Sequence, residues 1–188
     1  MAVTQGWLDR LDHALLHRFA ALRGAELEGL FQAITWLGSG YVLIPAALLL
    51  MLFLATRRQW RLAALLGLTY AGAALSAWAL KQAIGRERPL LHPALADFVR
   101  FDWSFPSGHA THAAALALGL WLLARETGAV GRWLPLLALA VVLGVALSRL
   151  YLQVHWPSDV LAGVLLATVW AGLVSHVLRP RALRMDTP

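Results

Sequence analysis

Five long stretches without a charged residue constrain the fold of this chain more than any other feature. These windows are Gly29–Thr56, Leu62–Leu80, Trp103–Ala124, Trp133–Ser148 and Val160–Leu178. A helix that spans the hydrocarbon core of a membrane needs about 20 apolar residues. The fourth window is shorter, but it continues past Arg149 into a further apolar segment. With 60% hydrophobic and only 14% charged residues, the chain lacks the polar side chains to cover such helices in water. The sequence therefore predicts an all-α fold: one domain over residues 1–188, a polytopic membrane bundle of about five transmembrane helices.

The N-terminal segment, residues 1–25, predicts an amphipathic helix rather than a secretory signal or another span. It lacks the basic start and the continuous apolar core of a signal peptide. The apolar residues recur at helical spacing, and the polar ones fall opposite them. The apolar face comprises Trp7, Leu8, Leu11, Leu15, Phe19 and Leu22, and the polar face comprises Asp9, Arg10, His13, His17 and Arg18. Two placements are open: flat on the membrane surface, or packed against the bundle.

The basic residues indicate a membrane topology. The net charge of +6 comes mainly from arginines between the spans rather than from a basic stripe, so no nucleic-acid partner is expected. Alternating spans place one basic group on one side: Arg57, Arg58, Arg61, Arg125, Arg132, Arg179, Arg181 and Arg184. The other side has as many basic residues only if the N-terminal helix lies there and if Lys81, Arg88 and Arg149 are counted. These three residues are assigned to a binding site below, so they are left out of the count. We therefore expect the first group to be cytoplasmic in a bacterial inner membrane. The chain has no cysteine, so disulfides and thiolate metal sites are excluded.

Three polar clusters fall at the non-cytoplasmic ends of the predicted spans. They are Lys81–Pro89 after the second span, Pro106–His109 at the start of the third, and Ser148–Asp159 between the fourth and fifth. The first belongs to the longest connection in the chain, and long connections among short ones are usually functional or disordered. Because ionisable residues at a membrane are costly, three sets at one face indicate a common site.

The residue types in these clusters suit a phosphate. Lys81, Arg88 and Arg149 are cations, and guanidinium forks match phosphate oxygens. Ser107 and Gly108 precede a helix whose first N–H groups have no partner within the helix, which makes an anion cradle. The sequence therefore predicts an anion site built from cations and a helix N-terminus.

Two histidines add the chemistry of phosphoryl transfer. His155 lies four residues before Asp159, close enough for the carboxylate to hold one imidazole nitrogen and leave the other free to act as a base or nucleophile. With His109, one histidine can attack phosphorus while the other protonates the departing oxygen, and the cations stabilise the phosphoryl charge. Only Asp97 and Asp102 lie near the site outside the motifs, too few for a metal cage. We expect no metal and no cofactor.

The complete pattern K-x6-RP, PSGH and SR-x5-H-x3-D resembles the signature of the type 2 phosphatidic acid phosphatase (lipid phosphate phosphatase) superfamily. It matches at Lys81, Arg88, Pro89, Pro106, Ser107, Gly108, His109, Ser148, Arg149, His155 and Asp159, within residues 81–159. The resemblance implies a membrane α-helical bundle and a phosphohistidine intermediate on His155, with Asp159 orienting it and His109 protonating the leaving group. It also implies phosphate binding by Lys81, Arg88, Ser107, Gly108 and Arg149.

The lipid substrate has several candidates at this stage. We expect undecaprenyl diphosphate, with phosphatidylglycerophosphate, phosphatidic acid or a lipid A phosphate as alternatives. A carrier that holds a lipid phosphate without hydrolysing it is an alternative of another class. Arg86, Glu87 and Arg100 are expected to be solvated loop charges. His112 matches no motif position and is expected to be a packing or hydrogen-bonding residue, with a supporting role next to the catalytic residues as the alternative.

Overall fold

The computed structural model describes residues 6–89, 102–128 and 131–179, with the exception of residue 132. Seven α-helices make up this part of the chain, and it contains no strand. They are α1 (Trp7–Ala21), α2 (Ala25–Trp36), α3 (Gly40–Thr56), α4 (Trp60–Ile84), α5 (Gly108–Thr127), α6 (Trp133–Tyr151) and α7 (Pro157–Val177). This architecture confirms the predicted all-α bundle.

The predicted first span is two helices rather than one. The window from Gly29 to Thr56 covers most of α2 and all of α3, and the helix is interrupted at residues 37–39. A continuous apolar run does not reveal this break, because Gly38 and Ser39 interrupt a helix without adding charge. The segment Ala25–Thr56 as a whole is apolar and long enough to cross a membrane.

Four segments of the described chain meet the length and composition expected of a membrane span: Ala25–Thr56, α4, α6 and α7. The remaining predicted span, the third in chain order, corresponds to α5, which begins at Gly108 instead of Trp103 and carries His109 and His112 in its first turns. Its polar start lowers its hydropathy. The helix is rich in alanine and packs against α4, α6 and α7. α5 is therefore the central helix of the bundle.

Small residues let the helices approach closely around α5. A Cβ atom built on Gly163 of α7 would lie 2.7 Å from the carbonyl oxygen of Ser107 and 2.8 Å from Oγ1 of Thr111. Real Cβ atoms do not come this close, so only glycine permits α7 to pack at this distance from the start of α5. This approach brings the beginnings of α5 and α7 to the same end of the molecule.

At the opposite end of the bundle, an arginine connects three helices through hydrogen bonds. Arg61, at the start of α4, donates to Glu126 near the end of α5 at 2.6 Å and to the carbonyl oxygen of Leu178 just after α7 at 2.6 and 2.9 Å. The bundle therefore has two chemically distinct ends, one with this arginine and one with the three motifs.

The N-terminal helix α1 lies at the motif end and has features of both placements expected from the sequence. Asp12 and Leu16 are buried against the bundle, whereas Trp7, Leu8 and Leu11 are exposed. The exposed set is part of the predicted apolar face. α1 therefore packs on the bundle along one edge and leaves an apolar face available for lipid.

Candidate active site

The first motif begins in the last turn of α4. Lys81 is buried there, although it is charged. Gly85 then ends the helix in a left-handed conformation (φ 59°), which favours glycine. The chain turns at this point, so Arg86 and Arg88 extend back over the start of α7. The side chain of Lys81 passes the start of α5, where a Cβ atom on Gly108 would lie 3.9 Å from its Cε.

His155 has different neighbours at its two ring nitrogens. Nε2 lies 2.9 Å from Nη1 of Arg88, while Nδ1 lies 3.5 Å from Oδ2 of Asp159 and 3.4 Å from Oγ of Ser104. A guanidinium has only donors, so Nε2 must accept and the proton of the neutral ring belongs on Nδ1, facing the carboxylate. Burial first, and then the charges of Arg88 and Arg149, lower the pKa of His155 well below its ordinary value. His155 is therefore a neutral imidazole with its lone pair on Nε2.

The carboxylate of Asp159 is fully buried and fully engaged. Its Oδ2 accepts hydrogen bonds from Oγ of Ser104 and, at 2.9 Å, from the backbone N–H of Trp156. Its Oδ1 accepts from Nη1 of Arg86 at 2.7 Å. The expectation that Arg86 is a solvated loop charge is therefore wrong, because this side chain lies between buried carboxylates and is 23% exposed. Glu87, by contrast, is exposed as expected.

Two of the predicted phosphate-binding cations meet around one acid. Nζ of Lys81 lies 2.9 Å from Oδ2 of Asp102, and Nη2 of Arg88 lies 3.3 Å from the same oxygen. Backbone carbonyl oxygens complete the arrangement, since Lys81 donates to Trp103 and Arg88 donates to Val154 and Asp102. The two cations are thus held ready next to Nε2 of His155, with a half-exposed carboxylate between them.

The start of α5 faces the same site. Ser107 is fully buried, and its N–H donates to the carbonyl oxygen of Asp159 at 2.9 Å, while its Oγ has no hydrogen-bond partner in the described structure. His109 lies in the first turn and is half-buried. His112, one turn further, packs its ring against Tyr70 at 5.5 Å between centroids, in agreement with the expected packing role.

Arg149 enters from the end of α6. Its Nη1 donates to Oγ1 of Thr35 at 2.7 Å, and its buried Nε has no partner in the described structure. Its charge is near enough to contribute to the lowered pKa of His155. The structure therefore brings every site residue expected from the sequence to one end of the bundle, and it places the end of α2 there as well.

Six polar residues in this cluster were not assigned a catalytic or phosphate-binding role from the sequence: Asp12, Thr35, Arg86, Asp102, Ser104 and Ser158. The closeness of Asp102 to the motifs could have indicated it. Arg86 lies inside the first motif, at a position that the pattern K-x6-RP leaves variable, and Ser104 has no fixed spacing to any motif. Asp12 and Thr35 are far away along the chain. Asp97 and Arg100 lie outside the described residues. Within the described part of the chain, no three histidine, aspartate or glutamate side chains are grouped as metal ligands would be.

Comparison with known proteins identifies the family of the chain. The sequence matches the family model of the PAP2 superfamily over residues 61–182. It is similar to an undecaprenyl-diphosphatase of Sulfolobus acidocaldarius, 32% identical over 154 residues that cover 80% of this chain and 70% of that protein. It is also similar to a decaprenylphosphoryl-5-phosphoribose phosphatase of Mycobacterium tuberculosis, 42% identical over 128 residues that cover 64% of this chain and 62% of that protein.

A solved structure has the same fold. It is a transmembrane PAP2-type phosphatidylglycerolphosphate phosphatase from Bacillus subtilis, with a TM-score of 0.80 and 26% identity. The alignment covers 94% of this chain and 88% of that one.

Proposed function

The chain belongs to the PAP2 superfamily and is a membrane lipid phosphatase, and from this premise we propose that it hydrolyses a polyprenyl diphosphate, with undecaprenyl diphosphate as the first candidate, through a phosphohistidine on His155. The observation that carries the mechanism is the pair of contacts made by His155. Nδ1 faces the buried carboxylate of Asp159, and Nε2 faces the cationic group of Arg88.

In the first step, Nε2 of His155 attacks phosphorus and the bond to the leaving oxygen breaks. The phosphoryl oxygens take over the N–H groups of Lys81 and Arg88 that now face Asp102 and Nε2. The ring becomes cationic when the P–N bond forms, and the carboxylate of Asp159 stabilises that charge next to the Nδ1 proton. Ser107 Oγ and Arg149 Nε, both buried without partners among the described residues, are the further donors we assign to the phosphate.

His109 is proposed to handle the proton. It donates to the leaving oxygen in the first step, which for a diphosphate gives the prenyl monophosphate. In the second step it accepts a proton from the water that attacks phosphorus, the P–N bond breaks, and inorganic phosphate and neutral His155 are released. Its position in the first turn of α5, beside Gly108 and Ser107, supports this role.

The prenyl substrate is supported by the relatives. Two of the proteins described above act, by name, on undecaprenyl diphosphate and on a decaprenyl-linked phosphate. Phosphatidylglycerophosphate is the second candidate, because the solved structure with the same fold is a phosphatase for that lipid. The site is proposed to face the periplasm of a bacterial inner membrane, on the charge distribution given above.

Phosphate release from a lipid panel by the purified protein tests this function. The panel contains undecaprenyl diphosphate, phosphatidylglycerophosphate, phosphatidic acid and a lipid A phosphate, each in mixed micelles with excess EDTA and scored by kcat/KM. We expect turnover without added metal and the highest kcat/KM for undecaprenyl diphosphate, with His155→Ala inactive on all four.

Two outcomes would contradict parts of the proposal. A glycerophospholipid preferred about tenfold or more would replace the substrate assignment and leave the chemistry in place. Turnover lost in EDTA and restored by Mg²⁺ would contradict the metal-free mechanism.

A further inference from the structure

An arginine connects a buried acid of the N-terminal helix to the proposed active site. Oδ2 of Asp12 in α1 accepts from Nη2 of Arg86 at 2.7 Å, and Nη1 of the same guanidinium donates to Oδ1 of Asp159 at 2.7 Å. The side chains of the two acids are 2% and 0% exposed. One arginine therefore bridges two buried carboxylates that lie far apart in the chain.

Ser158 provides a second connection between the same two acids. Its backbone N–H donates to Oδ1 of Asp12 at 2.9 Å, and its hydroxyl donates to Oδ2 of Asp12. Oγ of Ser158 also accepts from Nη1 of Arg86 at 2.7 Å. Within the described part of the chain, the carboxylate of Asp12 thus accepts hydrogen bonds from Arg86 and from Ser158, the residue immediately before Asp159.

These contacts fix the carboxylate that orients the proposed nucleophile. Arg86 holds Oδ1 of Asp159, while Ser104 and the N–H of Trp156 hold Oδ2, the oxygen that lies against Nδ1 of His155. The guanidinium therefore helps to set the orientation of the whole carboxylate. The planar fork of arginine is needed for this bridge, because its two terminal nitrogens point at two different carboxylates at once. Although burial acts to lower it, the two acids hold the pKa of Arg86 above its ordinary value.

We propose that Asp12 and Arg86 are positioning residues that hold Asp159, and through it His155, in the reactive arrangement, so that α1 completes the active site. This inference rests on the proposed function, and it adds the N-terminal helix to the catalytic unit.

The docking of α1 does not depend on Asp12 alone. Leu16 of the same helix is fully buried, and Phe19 packs against the cluster formed by Tyr151, Leu152 and Val154. Replacement of Asp12 by the isosteric asparagine should therefore leave α1 in place and remove the charge that anchors Arg86.

The test is a double-mutant cycle on the full-length protein in detergent, with undecaprenyl diphosphate or the best substrate of the panel. We expect Asp12→Asn to lower kcat about tenfold with KM within twofold of the unaltered protein, because the phosphate-binding cations are untouched. Arg86→Gln should lower kcat at least as much. The double variant should be no worse than Arg86→Gln alone, because Asp12→Asn keeps the Oδ1 acceptor of the Ser158 N–H and the charge of Asp12 acts through Arg86.

Asp9→Asn is the matched control. Asp9 lies one turn earlier on α1, is half-exposed, and its carboxylate is 3.6 Å from the same guanidinium, at the limit of an ion pair. The same chemical change there should alter kcat by less than twofold. Arg86→Lys retains the charge without the fork, and should recover little of the loss in Arg86→Gln.

Two results would overturn the inference. One is a kcat for Asp12→Asn within twofold of the unaltered protein. The other is a double variant in which the two fold-decreases in kcat multiply, whatever its melting temperature. A purely structural effect in α1 would be independent of the effect at Arg86, and independent effects on kcat combine in that way. Absence of turnover by the unaltered protein would overturn the proposed function and this role together, whereas the two results above leave the proposed function standing.

Discussion

Asp102 occupies the place between Lys81 and Arg88 where a phosphate oxygen is proposed to bind. Its carboxylate is 2.9 Å from one cation and 3.3 Å from the other, and its side chain is 52% exposed. An anion that enters this site must displace an internal one. The acid therefore lowers the affinity of the site for phosphate while it offsets the repulsion between the two cations.

Replacing Asp102 by asparagine should accordingly lower KM by about two- to fivefold, since a half-exposed ion pair contributes up to about 1 kcal/mol. We expect kcat to stay within twofold. The measurement is the Michaelis curve for the preferred lipid, with Glu87→Gln as a control that removes an exposed carboxylate from the same loop. A KM that is unchanged or higher in Asp102→Asn would contradict the competition.

The lowered pKa of His155 makes a second prediction at this scale. Burial and the neighbouring cations favour the neutral ring, so the side chain should remain unprotonated until the pH falls well below about 6.5. Histidine-selective NMR titration of the unliganded protein, with His155→Ala to assign the signal, measures this directly. A midpoint at or above 6.5 would show that burial and the charges of Arg88 and Arg149 do not lower the pKa of His155 as the structure indicates.

Motif spacing was enough to identify the residues that the structure brings together at one end, including Lys81, Arg88, His155 and Asp159. It could not identify Arg86, because the role of that side chain comes from Asp12, 74 residues earlier in the chain. The sequence around Arg86 does not indicate a contact with a residue so far away in the chain. Ser104 was missed for a related reason, since a serine is common in loops and its partner is the buried acid 55 residues away.

At the scale of helices, the close approach of α7 to α5 holds the second and third motifs together. Gly163→Ala would place a methyl group 2.7 Å from the carbonyl oxygen of Ser107. We expect a destabilisation of about 1–3 kcal/mol, as for overpacked cores, and a loss of activity as the start of α5 shifts.

Gly172→Ala is the control for that substitution. It lies on the same helix, and a Cβ atom there would meet nothing within 4 Å, so the melting temperature in detergent should stay the same or rise slightly. Equal melting temperatures for the two variants would contradict the tight packing at Gly163.

The helices themselves were predictable where charge-free windows ended at polar residues, as for α4 and α7. The break at residues 37–39 was not, because a charge-free window records length and apolarity but not helix continuity. The polar start of α5 lowers the mean hydropathy of that helix. The other helices surround α5, so its first turns can carry polar residues without contact with lipid.

For the whole molecule, the orientation in the membrane is testable because the chain contains no cysteine. Single cysteines at Thr56 and Thr127 lie at the end opposite the site, where α3 and α5 finish. Ala94 belongs to the connection between the first and second motifs, outside the described residues. In intact cells, an impermeant thiol reagent should label only Ala94→Cys, and labelling of the other two instead would place the active site in the cytoplasm.

Trapping of the phosphoenzyme tests the central claim most directly. The protein is mixed with lipid labelled in the transferred phosphate, quenched in alkali where a P–N bond survives, and the labelled peptide is sequenced. The account predicts label on His155, stable in alkali and lost in acid, absent from His155→Ala and still formed by His109→Ala with a diphosphate, whose leaving group needs less protonation. A phosphoenzyme that persists in His155→Ala, or one that His109→Ala alone abolishes, would show that the two histidines have the opposite roles.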